Sequence, residues 1–203
     1  MAVLLSTAYL PPASYLSVCL SAERLVIEQF ETYPKQTIRN HCEILGPNGK
    51  QTLSIPVNKV NGHNTLTKDI RISNTIPWQR LHLRSIETAY SNSPFFLYYR
   101  DAFEFIFTKQ FDFLLDLNSR LLEIIFEILR IRKLIELTDH FEKNPEHMTD
   151  LRTLPAIRNL SERSKFPPYT QVFSTRHGFT PDLGIIDLIF NLGPEASDYL
   201  AGI

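Results

Sequence analysis

Residues 33–57 read YPKQTIRNHCEILGPNGKQTLSIPV, and this stretch decides the fold. Ile38, Ile44 and Leu45 carry strand-forming character before the break, and Leu53, Ile55 and Val57 carry it after. Pro47, Asn48 and Gly49 interrupt the run between them, as a β-hairpin requires. Ahead of the turn stand Tyr33, Lys35, Gln36, Arg39, Asn40 and His41. A solvated strand face has little use for that mixture of cations, amides and an aromatic ring. A surface that grips a polar or anionic ligand does.

Toward the N-terminus, Val3–Ser6 reads as a short buried strand and Arg24–Gln29 as a second one. Between them Tyr9-Leu10-Pro11-Pro12 forces a turn, because proline fixes its own φ and restricts the residue before it. Ser14 is the expected cap of a helix over about 15–22. Toward the C-terminus, a polar link at 58–67 leads to a short strand at Asp69-Ile70-Arg71-Ile72. Pro77 suits the first turn of a helix. Trp78, Leu81, His82, Ser85, Ile86 and Ala89 recur at helical spacing behind it. Phe95 to Phe107 is aromatic and reads as helical. Asp116 or Asn118 is expected to cap an amphipathic helix running to about 137. Residues 139–169 are polar and proline-punctuated, the pattern of a long loop. Gly184–Leu192 is an apolar helix, broken by Gly193-Pro194 before a last short helix into Tyr199. The expected architecture is one α/β domain over 1–203. Residues 1–75 supply a small mixed sheet with one helix and the hairpin. Residues 76–203 are largely helical, with the loop at 139–169.

Composition limits the functional classes. A chain of 203 residues with 43% apolar and 21% charged residues builds an ordinary globular core. The net charge of −1 gives no global field toward nucleic acid or anionic lipid, so no nucleic-acid partner is expected. Cys19 and Cys42 are the only cysteines. They form neither a zinc pattern nor a disulfide framework, and they read as free thiols in a reducing compartment. No basic, apolar leader opens the chain and no run approaches the ~20 apolar residues that span a bilayer. The expectation is a cytoplasmic protein without membrane insertion. His140 and His147 lie too far apart in a polar loop to suggest a metal site. No Gly-x-Ser-x-Gly elbow is present, and no motif names a cofactor.

Several segments, in order and spacing, are shared with a known family. They are YLPPASY at 9–15, Tyr33-x-Lys35 with Asn40, Asn48-Gly49 followed by LSIPV, and Trp78-Gln79 with His82. They continue with AYSNSPFFLYYRD at 89–101 and QVFSTRHGFTPDLGIIDLIFNLGP at 171–194. On these the chain resembles the WbqC-like family, in a form typical of Bacteroidetes-type bacteria. The resemblance implies a place in surface-polysaccharide (O-antigen and capsule) biosynthesis, and group transfer onto a nucleotide-linked amino sugar as the most concrete activity. Its implied ligand is a nucleotide sugar or another phosphorylated sugar. The alternative is a non-catalytic binding or assembly module of the same pathway. The chain departs from the family pattern at Ser6, Thr7 and Ala8, where many relatives have His-Gln-Pro. It also carries Asn40-His41 where others show Asn-Arg.

Each candidate residue has a structural and a functional reading. The turn at Tyr9–Pro12 either reverses the chain or lines a ligand site at the end of the first strand, with Tyr9 and Tyr15 beside it. The helix that follows is expected to offer free N–H groups to an anion. There is no glycine-rich cradle, so a dinucleotide fingerprint is absent. Lys35, Arg39 and Asn40 are surface groups, or they hold phosphate and sugar hydroxyls. His82, on the apolar stripe of its helix, is a core histidine or the general base. Trp78 and Tyr99 are packing or a platform for a sugar. Asp101 is a surface charge or the group that orients His82 or Lys35.

Overall fold

The computed structural model describes residues 1–153, 155–157 and 166–203. Its centre is a four-stranded parallel sheet. β1 (Ala2–Ser6) runs into α1 (Ala13–Ser21) and returns as β2 (Arg24–Glu28), a β–α–β unit with β1 and β2 in parallel register from Ala2↔Arg24 to Ser6↔Glu28. Every residue of β1 after Ala2 is buried, as expected for a strand covered on both faces. The hairpin follows as β3 (His41–Gly46) and β4 (Gly49–Ser54), antiparallel from His41↔Ser54 to Gly46↔Gly49. Pro47 and Asn48 make its two-residue turn. Gly49 takes φ +103°, where a side chain would be strained. A small ribbon, β5 (Val57–Asn58) with β6 (Arg71–Ile72), completes the first part of the chain.

Helices dominate thereafter. They are α2 (Trp78–Tyr90), α3 (Phe96–Tyr99), α4 (Glu104–Thr108) and α5 (Leu114–Leu129). Phe95 to Phe107 is therefore two short helices joined by a 3-10 turn at Arg100–Phe103, not one continuous helix. α5 starts two residues ahead of Asp116, with Phe113 at its N-cap and the Asn118 side chain turned inward to the Arg39 carbonyl at 2.8 Å. It ends at Leu129, not near 137, because Arg130 adopts a left-handed conformation (φ 56°, ψ 31°) that stops the helix.

Two strands then appear where helix end and loop were expected. β7 (Ile135–Leu137) pairs in parallel with β2, and β8 (Thr149–Leu151) pairs in parallel with β1. The sheet order is β7-β2-β1-β8. Of the expected loop 139–169, residues 154 and 158–165 lie outside the described residues. α6 (Ser174–His177), α7 (Ile185–Leu192) and α8 (Ala196–Ala201) close the fold. Lys133 secures the C-terminal end of α1, its ammonium donating to the carbonyls of Cys19, Leu20 and Ala22, which the helix itself leaves unsatisfied. Val3, Leu5, Leu25 and Ile27 from the sheet join Leu16, Ile125, Ile186 and Phe190 in the apolar core. Among the described residues, no helix is long and apolar enough to cross a membrane.

Candidate functional site

The order in which strands join the sheet reverses between β1 and β8, which run parallel. β1 connects toward β2 on one side, and β8 lies on the other. In an open parallel sheet the loops at the C-terminal ends of such strands diverge and leave a crevice. A cavity of about 560 Å³ occupies this position. Leu10 and Pro12 reach it from the turn after β1, Glu31, Thr32 and the 34–39 loop from beyond β2, and Thr153 and Pro155 from beyond β8. The hairpin closes the other side with His41, Cys42, Glu43 and Thr52, and Asp182 and Gly184 come from just ahead of α7.

The walls are held by backbone and buried charge. Tyr9 N–H donates to the Ile38 carbonyl at 2.8 Å, and Gly184 N–H to the Glu43 carbonyl at 2.8 Å. Gly184 has no room for a side chain: a Cβ there would meet Cys42 Sγ at 2.3 Å and the Leu10 carbonyl at 3.1 Å. Arg39 is 4% exposed and lies against Glu31, with Nε to Oε1 at 2.8 Å. Its Nη2 also donates to the Arg152 carbonyl at 3.2 Å, tying the loop after β2 to the segment after β8. Arg152 in turn forks onto Asp150 and approaches the fully buried Glu28 at 3.4 Å. Burial holds the Glu31 carboxyl above its usual range even beside Arg39. Among the described residues, three of the four non-glycine residues with positive φ, Leu10, Gln36 and Asp182, line this cavity. Backbone held in sparsely populated conformations tends to collect at sites with a task.

The helix N-terminus beside the cavity is already occupied. Ala13 N–H donates to the Leu183 carbonyl at 3.2 Å and Ser14 N–H to Asp182 Oδ1 at 2.9 Å. The expected free N–H groups are thus filled by the chain's own acceptors. Pro12, not Ser14, is the N-cap. With no glycine between Ser6 and Pro12 either, the pyrophosphate of a dinucleotide does not fit this turn.

The sequence-derived candidates separate into groups. Tyr9, Trp78 and His82 come together in the core. Tyr9 OH meets His82 Nδ1 at 2.9 Å, the Trp78 ring stands edge-on to His82 at 5.2 Å between centroids, and the Trp78 indole donates to Asn74 Oδ1 at 3.3 Å. The backbone of Ser54 favours the protonated ring and opposes part of the effect of burial. Burial lowers His82 from its ordinary 6.5 to about 4 and pushes the Tyr9 hydroxyl well above its usual value. None of the three contributes to the cavity wall. Tyr15 is fully buried and donates to the Ser6 carbonyl at 2.8 Å. The Asn40 amide donates to the Ile55 carbonyl at 2.9 Å, joining the two arms of the hairpin. Arg39 is in the cavity wall, and Lys35 is exposed between the lining residues Pro34 and Gln36. Tyr99 packs on Phe95 and Tyr98, while Asp101 pairs loosely with Arg100 at 3.4 Å and borders a separate apolar cavity of about 140 Å³.

Glu31, Thr37, Thr52, Thr153 and Asp182 were not singled out from the sequence. Asp182 lies in the shared Thr-Pro-Asp-Leu-Gly segment at 180–184, the one place where the residue pattern held a signal for it. Cys42 is a poor nucleophile here, since burial pushes its thiol far above its ordinary range. Among the described residues, no group of three or more His, Cys, Asp and Glu side chains converges as metal ligands.

The family model described as the WbqC-like protein family matches residues 7–161, which include β2, β7 and β8 of the sheet and most of the cavity wall. The uncharacterized protein Rv1507c of Mycobacterium tuberculosis (strain ATCC 25618 / H37Rv) is 26% identical over 220 residues, spanning 95% of this chain and 94% of its own length. No solved structure matches the chain.

Proposed function

The chain belongs to the WbqC-like protein family, and from that premise we propose that the cavity at the C-terminal edge of the sheet takes the sugar of a nucleotide-linked precursor, in the service of cytoplasmic surface-polysaccharide biosynthesis. Group transfer onto an amino sugar is the most concrete form of this activity. The observation that carries the reading is the lining itself. Leu10, Pro12, Pro34, Ile38 and Pro155 offer apolar surface to the C–H faces of a sugar ring, and Gln36, His41 and Thr52 offer polar groups to its hydroxyls. Three carboxylates, Glu31, Glu43 and Asp182, against one guanidinium, Arg39, disfavour a phosphate deep in the cavity. Exposed Lys35 at the rim suits the phosphates better, so the nucleotide is placed outward.

The test is calorimetric titration with UDP-glucose, UDP-glucosamine and UDP-N-acetylglucosamine. At least one binds the wild type, and Thr52→Trp, which fills the cavity from an exposed strand position, abolishes that binding without lowering the melting temperature. A folded wild type that binds none of them overturns the reading. The non-catalytic module is the second reading, favoured by the inert Cys42 thiol and by the placement of His82 outside the cavity. In both, His82 acts as a structural group.

A further inference from the structure

The chain has six histidines, and one of them differs from the rest in its surroundings. His82 is held in the core by Tyr9, His140 is flanked by Asp139 and Glu142, and His177 Nε2 meets the Pro47 carbonyl at 3.0 Å. His63 and His147 are exposed and outside the cavity wall. His41, the first residue of β3, is half-buried, lines the cavity and has no side-chain hydrogen bond or ion pair among the described residues.

The other acceptors of the wall are engaged, apart from exposed Thr32. Glu31 is taken by Arg39, Glu43 by Lys50 at 2.7 Å, and Asp182 by the Ser14 N–H. Thr37 accepts from Arg39 and Thr153 from the Ala156 N–H. The side chains with open valences on the hairpin and its approach are Gln36, His41 and Thr52. His41 and Glu43 alternate onto one face of β3, and Thr52 stands opposite Glu43 on β4, so His41 and Thr52 present their polar atoms from the same face of the ribbon. Of these three, only the imidazole changes its hydrogen-bonding character with pH near neutrality.

Resting on the cavity as the sugar site, we propose that His41 binds the ligand there by accepting a hydrogen bond from a sugar hydroxyl through its unprotonated ring nitrogen. Burial lowers its proton affinity, so the neutral ring is the resting form at neutral pH. The charged groups sharing its cavity are Glu43 with Lys50 on the hairpin, Glu31 with Arg39 on the loop after β2, and Asp182 ahead of α7. The Cys42 thiol stays protonated throughout the working range. Protonation converts the acceptor nitrogen to a donor, and the ligand hydroxyl loses its partner.

The experiment compares wild type, His41→Gln and His41→Ala by titration with the tightest of the three UDP-sugars named above, from pH 8 to pH 5. The difference between wild type and variant cancels any titration of the probe. At pH 8, His41→Ala binds about three- to tenfold more weakly, the worth of one neutral hydrogen bond, and His41→Gln recovers part of the loss through its amide oxygen. Wild-type affinity falls on acidification by a similar factor, and in both variants that fall disappears. A variant that matches wild type in affinity and in pH slope, while the UDP-sugar still binds, overturns the role of His41 and leaves the cavity assignment standing. Loss of all binding in the wild type overturns both. Melting temperatures within 2–3 °C of wild type, equivalent to under about 1 kcal/mol, establish that the variants are folded. A larger fall, with affinity per folded molecule unchanged, makes His41 structural and likewise overturns the proposal.

Discussion

Two polar clusters of this molecule, each built around a histidine, use their hydrogen-bonding groups to different ends. Around Tyr9, Trp78 and His82, hydroxyl, indole and imidazole find partners within the protein and are removed from solvent. Around Gln36, His41 and Thr52, an amide, an imidazole and a hydroxyl face a cavity without such partners. Both clusters border the hairpin, but only the closed one is built of motif residues shared with the family, and His41 of the open one stands where relatives carry Arg. The difference lies in whether hydrogen-bonding capacity is consumed by the fold. Burial of a polar group is tolerable only when it is paired, so the closed cluster contributes to stability and loses reactivity. The open one keeps valences for a ligand.

One of the two largest expected effects tests whether Arg39 belongs with the closed class despite its place in the cavity wall. Arg39→Ala leaves the largely shielded Glu31 carboxylate without its partner and removes the Arg39 bond to the Arg152 carbonyl, and the loss of such charge-assisted bonds costs ~2–3 kcal/mol. Urea denaturation should show it as a lower midpoint. A variant of unchanged stability with lost ligand affinity moves Arg39 to the open class.

An effect of similar size separates the histidines by pH. His82 titrates near 4 in the folded protein against 6.5 ordinarily. Between those values the unfolded chain binds a proton that the native state refuses, so stability is full above pH 6.5 and falls as pH drops toward 4, by ~3 kcal/mol in all. His82→Gln should flatten that part of the stability–pH curve. An equal slope in wild type and variant removes His82 from the closed cluster. The hydroxyl of Tyr9 offers a finer probe. His82→Leu leaves it buried without its partner, which should cost ~1–3 kcal/mol in thermal or chemical melts, more than Tyr9→Phe in the same background.

The smallest effect belongs to the rim. Lys35→Ala should leave stability within ~0.5 kcal/mol of wild type. It should weaken a UDP-sugar about two- to fivefold, as for an exposed charge contact, and leave the free sugar unaffected. Equal weakening of both ligands puts the sugar, not the phosphates, at the rim.

The ordering of legible and illegible parts follows from where the specifying interactions lie. The hairpin was legible because alternating apolar residues and Pro47-Asn48-Gly49 act over a few residues. β1 and β2 were legible for the same local reason. β7 was hidden because Ile135-Glu136-Leu137 continues the apolar rhythm of α5, and the stop at Arg130 uses a non-glycine left-handed residue with no local marker. β8 was hidden because Thr149-Asp150-Leu151 has a single apolar side chain, and only pairing with β1 makes it a strand.

The residue pattern set the α/β class, the family and the segment that supplies most of the cavity wall, since periodicity, turn chemistry and motif spacing are short-range properties of the chain. The division between His41 and His82, the filling of the α1 N-terminus by Asp182, and the crevice itself arise from pairings between residues 70 to 170 positions apart or from the late arrival of β8 beside β1. Whether a polar side chain is satisfied depends on such distant partners, and no local pattern encodes them.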